Sequence, residues 1–271
     1  MSERIAFIGG GNMASAIIGG LLKQGYSPDH IEVVEPFAEA RQLLLDKFNI
    51  TAHDRPGDFL NGVDMVVWAV KPQTFKEAAQ QVRPHTKGAL HLSVAAGIPS
   101  ASIARWLDTD RVVRSMPNTP ALIGMGITGL FPRPGVSDGD RDWIEQVVAT
   151  MGQFLWLERE EQIDAVTALS GSGPAYVFYF LEAMVAAGTE MGLTREQAYK
   201  LSLETFRGAS ALAHASTEAP EILRQRVTSK GGTTYAAITS MDEGKVKALF
   251  GQALHAAERR ARELGVEFGK D

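Results

Sequence analysis

The strongest constraint on the fold is a glycine-rich turn that directly follows the first apolar segment of the chain. Arg4–Ile8 predicts a short buried strand, and a helical pattern runs from the turn to Leu22. Between them Gly9, Gly11 and Ala14 fit the pattern G-x-G-x-x-G/A. In this setting the first glycine permits the tight turn, the second lets a pyrophosphate approach the backbone, and the alanine keeps helix and strand close. The segment predicts a dinucleotide site, with a purely structural glycine turn as the alternative.

The second predicted strand ends in an acidic residue that bears on the choice of nucleotide. Ile31–Val34 is followed by Glu35, 24 positions after Gly11. An acidic side chain at this place accepts hydrogen bonds from the ribose 2′-hydroxyl of NAD and repels the 2′-phosphate of NADP. Because the next arginine is Arg41, the sequence by itself favours NADH over NADPH. The alternative is a solvated charge at a strand end.

Later strands also end in small or polar residues, which indicates a ligand crevice along one edge of a sheet. The predicted strands are Asp64–Val70, Leu90–Val94, Arg111–Met116 and Phe154–Leu157, and the predicted helices between them are Phe75–Val82, Ser100–Leu107 and Val136–Met151. This alternation is typical of an α/β fold with a doubly wound, Rossmann-type sheet. Ala69–Pro72 should lie at the crevice, because ligands bind at the carboxyl ends of parallel strands.

Lys71 lies within that crevice segment and has two possible roles. Its ammonium group could act as a general acid. Alternatively, it is a surface lysine whose backbone contacts the cofactor. We favour the second role, because a catalytic lysine needs a burial or charge partner and the sequence identifies none.

Strand patterns stop near Glu161, and helical patterns continue from there. We therefore predict two domains, residues 1–160 for the nucleotide and residues 161–271 as an all-α domain. Ala175–Ala187 is apolar on nearly every side, which is typical of a helix buried all round. A domain of about 110 residues rarely needs so much burial for itself, so we expect it to form a dimer. The glycines and serines of Ser170–Ala175 are expected to shape the chain at the start of this helix. The alternative is that they supply contacts beside the nicotinamide or the substrate.

Composition narrows the class of protein. The chain has 271 residues, of which 45% are hydrophobic, a net charge of −5, six histidines and no cysteine. The negative charge argues against nucleic-acid binding, and the missing cysteines exclude thiolate catalysis and fit a reducing cytoplasm. The longest apolar run is too short for a membrane span, no signal peptide is evident, and the histidines lack metal-ligand spacing. We expect a cytoplasmic protein that binds small molecules and needs no metal.

Small and hydroxyl residues cluster in Val227–Thr234, just before a predicted helix over Thr233–Met241. A helix start has unpaired N–H groups and a partial positive charge, and glycines let the backbone approach an anion. The residues that would contact such an anion are Ser229, Gly231, Gly232, Thr233 and Thr234. The segment therefore predicts a site for a carboxylate of the substrate. The alternative is a helix capped by a serine or threonine side chain.

Five segments, taken in order along the chain, resemble the pyrroline-5-carboxylate reductase family. They are Ile8–Met13, Ala69–Pro72, Met116–Pro120, Ser170–Tyr176 and Val227–Thr234. The resemblance implies reduction of 1-pyrroline-5-carboxylate to L-proline by NADPH or NADH. It also implies an N-terminal Rossmann domain and a C-terminal helical domain that interlocks in homodimers, which often assemble into decamers.

Carried over by position, the resemblance implies three groups of site residues. The pyrophosphate would lie on Ile8, Gly9, Gly10, Gly11, Asn12 and Met13, the nicotinamide side would be lined by Ala69, Val70, Lys71, Pro72, Ala95, Ala96 and Gly97, and the substrate carboxylate would be bound by Ser229, Gly231, Gly232, Thr233 and Thr234. Thr234 would also lie near the ring nitrogen, which makes it the candidate catalytic residue. Asp54 lies where relatives often place an asparagine near the cofactor.

Two positions depart from the family pattern. Lys230 replaces a common proline, and Glu35-Pro36-Phe37 replaces residues suited to a 2′-phosphate, which leaves the choice between NADPH and NADH open. Competing functions are the reduction of another cyclic imine or small carboxylate, and cofactor binding without catalysis. A β-hydroxyacid dehydrogenase is disfavoured, because it would need a lysine on the helix that follows Ala175 and none occurs before Met191.

Overall fold

The structure, a computed structural model, describes residues 3–270 and divides into two compact units. The first contains the chain up to Ser172 together with the chain from Ala257 onward, and the second is Gly173–Ala256. The sequence-based boundary at residue 160 differs from this division, since residues 161–172 belong to the first unit. Helical periodicity locates helices but does not reveal the core against which they pack, which explains the difference.

Within residues 3–270, seven strands form one sheet in the first unit. They are β1 (Ile5–Ile8), β2 (Ile31–Val34), β3 (Met65–Trp68), β4 (Leu90–Ser93), β5 (Val112–Met116), β6 (Gly126–Pro132) and β7 (Gly152–Trp156). Their order is β2-β1-β3-β4-β5-β6-β7, with β1 to β5 parallel and β6 antiparallel to β5. The order reverses between β1 and β3, so the carboxyl ends of these two strands form the switch point where such sheets bind ligands.

Strands β1, β3 and β4 are buried at every position, and the predicted doubly wound fold is confirmed. Along β1, Ile5 and Phe7 join one apolar cluster, and Ala6 and Ile8 join the other. The α-helices in the part of this unit up to Ser172 are α1 (Asn12–Lys23), α2 (Ala38–Phe48), α3 (Pro72–Val82), α4 (Ser100–Leu107), α5 (Asp138–Ala149) and α6 (Gln162–Val166). Helices α1, α2 and α5 supply side chains to the first cluster, and α3 and α4 supply side chains to the second.

Strand β6 was missed by the sequence analysis. It begins with Gly126, contains Gly129 and ends in Pro132, all residue types that weaken a strand pattern. The strand is defined instead by its pairing with β5 and β7. A Cβ added at Gly152, where β7 begins, would overlap the carbonyl oxygen of Gly126. The glycines are therefore required by the close approach of two backbones rather than by flexibility.

The second unit is helical and has a small core. Its helices are α7 (Gly173–Glu190), α8 (Arg195–Ala215), α9 (Pro220–Arg226), α10 (Thr233–Glu243) and the first part of α11 (Val246–Phe268). Helices α7 and α8 approach closely at Gly188, where an added Cβ would lie 2.9 Å from that of Ala198. On α7, however, Phe178 is 59% and Tyr179 70% exposed. One chain alone therefore does not bury α7 all round, and the remaining apolar surface needs a partner.

We also searched the described residues for membrane-spanning helices and for metal-binding clusters. No helix within residues 3–270 is long and apolar enough to cross a membrane. The same residues contain no group of three or more histidine, aspartate or glutamate side chains placed to hold a metal ion.

A buried histidine on β4 makes the stability of the first unit depend on pH. His91 is 2% exposed, and its Nδ1 accepts a hydrogen bond of 3.1 Å from the indole N–H of Trp68. Burial, and then the charge of Arg111, lower the pKa of His91 from 6.5 to about 3. The imidazole is therefore neutral in the folded protein at pH values where the unfolded chain binds a proton.

We predict that His91→Gln reduces the loss of stability on acidification. Between pH 6.5 and about 3 the unfolded state binds more protons at this site, so the free energy of unfolding falls as the pH falls. The slope from this one group approaches about 1.4 kcal/mol per pH unit. Urea unfolding of both proteins from pH 7 to pH 4 measures the effect. A difference in stability that stays constant across this range would contradict the assignment.

Candidate active site

The glycine-rich turn meets the end of β3 at the switch point of the sheet. Gly9 has a φ of 96°, and its N–H donates to the carbonyl oxygen of Val34 at 2.8 Å. A Cβ added at Gly9 would lie 2.6 Å from the carbonyl oxygen of Ala69. Both the left-handed backbone and the close approach therefore require glycine at this position. The structure thus brings together the ends of β1 and β3, as the sequence predicts.

The N-terminus of α1 is open to a ligand. Its N-cap is Gly11, and no described side chain accepts a capping hydrogen bond from the first turn. Gly11 and Asn12 are exposed, and a Cβ added at Gly11 would meet no described atom within 4 Å beyond its chain neighbours and its own helix. Unpaired amide groups at a helix start bind phosphate oxygens, so this cradle fits a pyrophosphate. Gly10 is buried behind it, where a Cβ would lie 2.7 Å from Leu44.

Glu35 is a buried carboxylate that connects the turn with the loop after β2. It is 6% exposed, so the alternative of a solvated charge is wrong. One oxygen accepts the N–H of Gly10 at 2.8 Å, and the other accepts the N–H of Phe37 at 2.9 Å. The guanidinium group of Arg41 donates to the carbonyl oxygens of Glu35 and Pro36. An acidic group and a basic group therefore both lie at the end of β2.

Asp54 follows a residue that pairs with β2. The N–H of His53 donates to the carbonyl oxygen of Val33 at 2.8 Å. The carbonyl oxygen of His53 accepts a hydrogen bond from the N–H of Glu35, also at 2.8 Å. The imidazole of His53 stacks on Phe59 with 3.6 Å between ring centroids. This pairing fixes the segment beside the end of β2, with Asp54 exposed. This position agrees with the family resemblance, which implies that Asp54 lies near the cofactor.

The Ala69–Pro72 segment links β3 to α3. The N–H of Ala69 donates to the carbonyl oxygen of Ile8, which continues the pairing of the two strands beyond their ends. Lys71 is the exposed N-cap of α3, and its carbonyl oxygen accepts hydrogen bonds from the N–H and hydroxyl of Thr74. The backbone of Lys71 is thus structural, while its side chain lies in solvent. This placement favours the surface role over a general acid.

The Ala95–Gly97 segment follows β4 and is packed under the C-terminal part of α11. Gly97 has a φ of 72°, and an added Cβ would lie 3.1 Å from the Cβ of Leu264 and 3.3 Å from Phe268. Sequence analysis missed these neighbours, because no local pattern connects residues so far apart in the chain.

A second contact missed from the sequence lies next to β5. The five residues Thr167–Gly171 form a π-helical turn, in which Ser172 N–H donates to the carbonyl oxygen of Thr167 at 2.8 Å. A Cβ added at Gly171 would lie 2.5 Å from the terminal methyl group of Met116. Single π turns inside helices frequently occur at functional sites. Two of the five segments that carry the family resemblance therefore touch each other in the first unit.

The predicted anion loop lies in the second unit, between α9 and α10. Helix α10 begins at Thr233 with Gly232 as its N-cap, and no described side chain caps it. The alternative of a serine or threonine cap is therefore wrong. Gly231 has a φ of 73°, and the N–H of Gly232 donates to the carbonyl oxygen of Ser229 at 3.0 Å. Lys230 is exposed and Thr234 is half-buried. The loop leaves the amide groups of a helix start beside several hydroxyl groups.

The fold and the cofactor cradle define the class of protein, a Rossmann-type NAD(P)-dependent oxidoreductase. A family model described as NADP oxidoreductase, coenzyme F420-dependent, matches residues 4–97. A model described as pyrroline-5-carboxylate reductase dimerisation matches residues 160–264. The pyrroline-5-carboxylate reductase of Pseudomonas aeruginosa is 46% identical over 271 residues, which cover 99% of each chain. This chain belongs to the pyrroline-5-carboxylate reductase family.

Solved structures agree with this assignment. The Coxiella burnetii pyrroline-5-carboxylate reductase superposes with a TM-score of 0.91 at 37% identity, over 97% of this chain and 99% of that one. The Plasmodium falciparum enzyme with NADP bound has the same fold, with a TM-score of 0.86 at 24% identity over 97% and 98% of the two chains. The predicted family, its function in proline biosynthesis, the enzyme class and the NAD(P)H cofactor are confirmed. The dimerisation domain makes the protein a homo-oligomer.

We predict that Gly9→Ala weakens cofactor binding at least tenfold, which corresponds to about 1.4 kcal/mol. The new methyl group would overlap the Ala69 carbonyl group and force the turn away from β3. Titration of NADPH fluorescence measures the dissociation constant. Gly62→Ala is the matched control, because Gly62 also has a positive φ of 76° but an added Cβ would meet no described atom within 4 Å beyond its chain neighbours. Equal cofactor affinity in the two variants would show that the contact at Gly9 is unimportant.

Proposed function

We propose that the chain holds its nicotinamide cofactor along the carboxyl ends of β1, β3 and β4. The open N-terminus of α1 supports a pyrophosphate on Ile8–Met13. The small residues after β3 and β4, Ala69–Pro72 and Ala95–Gly97, are the proposed walls of the nicotinamide side. Asp54, beside the end of β2, is assigned to the adenosine side. The observation that carries the proposal is the contact between Gly9 and Ala69, because it places the cradle at the switch point.

We propose that the loop before α10 binds the carboxylate of 1-pyrroline-5-carboxylate. Backbone N–H groups of Gly231 and Thr233 would donate to the carboxylate oxygens, and the hydroxyl groups of Ser229 and Thr234 would complete the site. Gly232, whose own N–H donates to Ser229, would line the site with its backbone. The uncapped start of α10 supports this, since its partial positive charge favours an anion. In the proposed homodimer, which can assemble further into decamers, this loop would come from the partner subunit. A cytoplasmic location also stays a prediction.

Catalysis needs little acid–base chemistry from the protein. Bound NAD(P)H supplies the hydride that adds to C5 of the imine. A protonated imine is already electrophilic, so the protein contributes orientation and electrostatic stabilisation. The hydroxyl oxygen of Thr234 is proposed to accept a hydrogen bond from the protonated ring nitrogen and so to orient the imine. Its half-buried position in the first turn of α10, next to the carboxylate loop, supports this role.

We predict that Thr234→Ala lowers kcat/KM for 1-pyrroline-5-carboxylate by more than tenfold, equivalent to about 1.4 kcal/mol. The reason is the loss of the hydroxyl group that orients the ring nitrogen. Thr239→Ala is the control, because Thr239 is an exposed residue of the same helix. Steady-state oxidation of NADPH, followed at 340 nm, gives kcat and KM for each variant. If the two variants behave alike, Thr234 has no part in the reaction.

We predict that Glu35→Gln shifts the ratio of kcat/KM for NADPH to that for NADH toward NADPH by at least fivefold. The substitution removes the negative charge that opposes a 2′-phosphate at the end of β2. Oxidation of each cofactor with 1-pyrroline-5-carboxylate gives the ratio, which is insensitive to the fraction of active protein. Glu39→Gln, an exposed acid in the first turn of α2, is the control. An unchanged ratio would mean that the Glu35 carboxylate only braces the turn.

A further inference from the structure

The last turns of α11 pack directly on the segment that follows β4. Gly97 lies under Leu264 and Phe268, with only 3.1 Å between the Cβ of Leu264 and an atom added at Gly97. Phe268 also packs against the apolar cluster that contains Ala95 and Ile98. Helix α11 therefore contacts the segment at Gly97 and the apolar cluster beside it. All of these residues belong to the first unit.

The C-terminal end of α11 is anchored by polar contacts as well. The hydroxyl group of Ser102 donates to the carbonyl oxygen of Gly269 at 2.8 Å, and the guanidinium group of Arg105 donates to the same oxygen at 3.3 Å. These donors satisfy a carbonyl group that the helix leaves unpaired, and the cation favours the negative end of the helix dipole. A Cβ added at Gly269 would lie 3.0 Å from the ring of Pro99. The helix end is thus fixed to the start of α4.

The start of α4, which follows this segment, is held by a partly buried ion pair. The N–H and hydroxyl of Ser100 each donate to Glu160 at 2.6 Å, and Arg114, 5% exposed, donates to Glu160 at 2.8 Å. Burial by itself would raise the pKa of Glu160, but the hydrogen bonds from Ser100 and Arg114 hold it below its ordinary value. The chain between β4 and α4 is therefore fixed at Ser100 by Glu160, and α11 packs on it at Gly97.

We propose that Leu264 and Phe268 are positioning residues for the nicotinamide-side segment Ala95–Gly97. This inference rests on the proposed placement of that segment beside the nicotinamide. A loop has no strand partners to fix it, so the packing of α11 sets how closely its backbone approaches the ring. Hydride transfer depends steeply on such distances, and a displacement of about 1 Å can cost a factor of about 100 in rate.

The test compares three alanine variants of one helix. Leu264→Ala and Phe268→Ala should lower kcat with NADPH at least fivefold. The inhibition constant of 2′,5′-ADP, which carries the adenosine part of the cofactor only, should stay within twofold of the original value. Val266→Ala is the matched control, because Val266 is 66% exposed on the same turns of α11. Leu264→Met, which keeps the volume of the side chain, should restore most of kcat.

Two outcomes would overturn the inference. Unchanged kcat in both alanine variants would show that α11 does not position the segment. Parallel loss of 2′,5′-ADP binding and kcat, also in Leu264→Met, would show a general loss of structure instead.

Ala96→Phe separates this inference from the proposed function. A bulky side chain on the nicotinamide side should weaken the binding of NADPH at least tenfold and leave the binding of 2′,5′-ADP unchanged. If Ala96→Phe has this effect and Leu264→Ala has none, only the positioning role fails. If Ala96→Phe leaves NADPH binding unchanged, the segment does not line the nicotinamide, and both the placement and the inference built on it are wrong.

Discussion

The nucleotide-binding unit depends on the contact between Gly9 and the carbonyl group of Ala69. Strands β1 and β3 pair in register, with Ile8 opposite Trp68, so the residues that follow them have to meet at one edge of the sheet. Only a residue without a side chain fits there, because an added Cβ would lie 2.6 Å from the carbonyl oxygen. The tight turn that results starts α1 immediately and leaves its N-terminus facing the crevice. The requirement for glycine at position 9 therefore links the packing of the sheet to the geometry of the turn before α1.

The parts of this fold that could be predicted are those encoded within a few neighbouring residues. The apolar strands β1 and β3 need burial on both faces, and the glycine turn needs special backbone angles, so both leave a local pattern. The missed parts depend on distant partners. β6 is a strand because β5 and β7 pair with it, although its own glycines and proline argue against one. The contact between Gly97 and Leu264 joins segments that no periodicity relates.

The helical unit shows why an apolar helix predicts assembly better than it predicts a core. In one chain α7 buries Leu181 and Val185 but exposes Phe178 and Tyr179. Extended apolar surface of this kind costs free energy in water, at roughly 25 cal/mol for each Å². The dimerisation family that matches residues 160–264 accounts for the exposed face. We therefore expect assembly to stabilise this unit, so subunit concentration should enter any measurement of its unfolding.

Two carboxylates that are largely shielded from solvent fix loops by the same physical means. Glu35 accepts backbone N–H groups of Gly10 and Phe37, and Glu160 accepts the backbone N–H and hydroxyl of Ser100. Hydrogen bonds to an ionised acceptor are roughly twice as strong as neutral ones, so a carboxylate can order loop backbone that has no strand to pair with. In the sequence these acids are indistinguishable from solvated charges, since only the fold shows what they accept. If Glu35 sets the cofactor preference, as we propose, that preference is coupled to the shape of the turn that the same side chain supports.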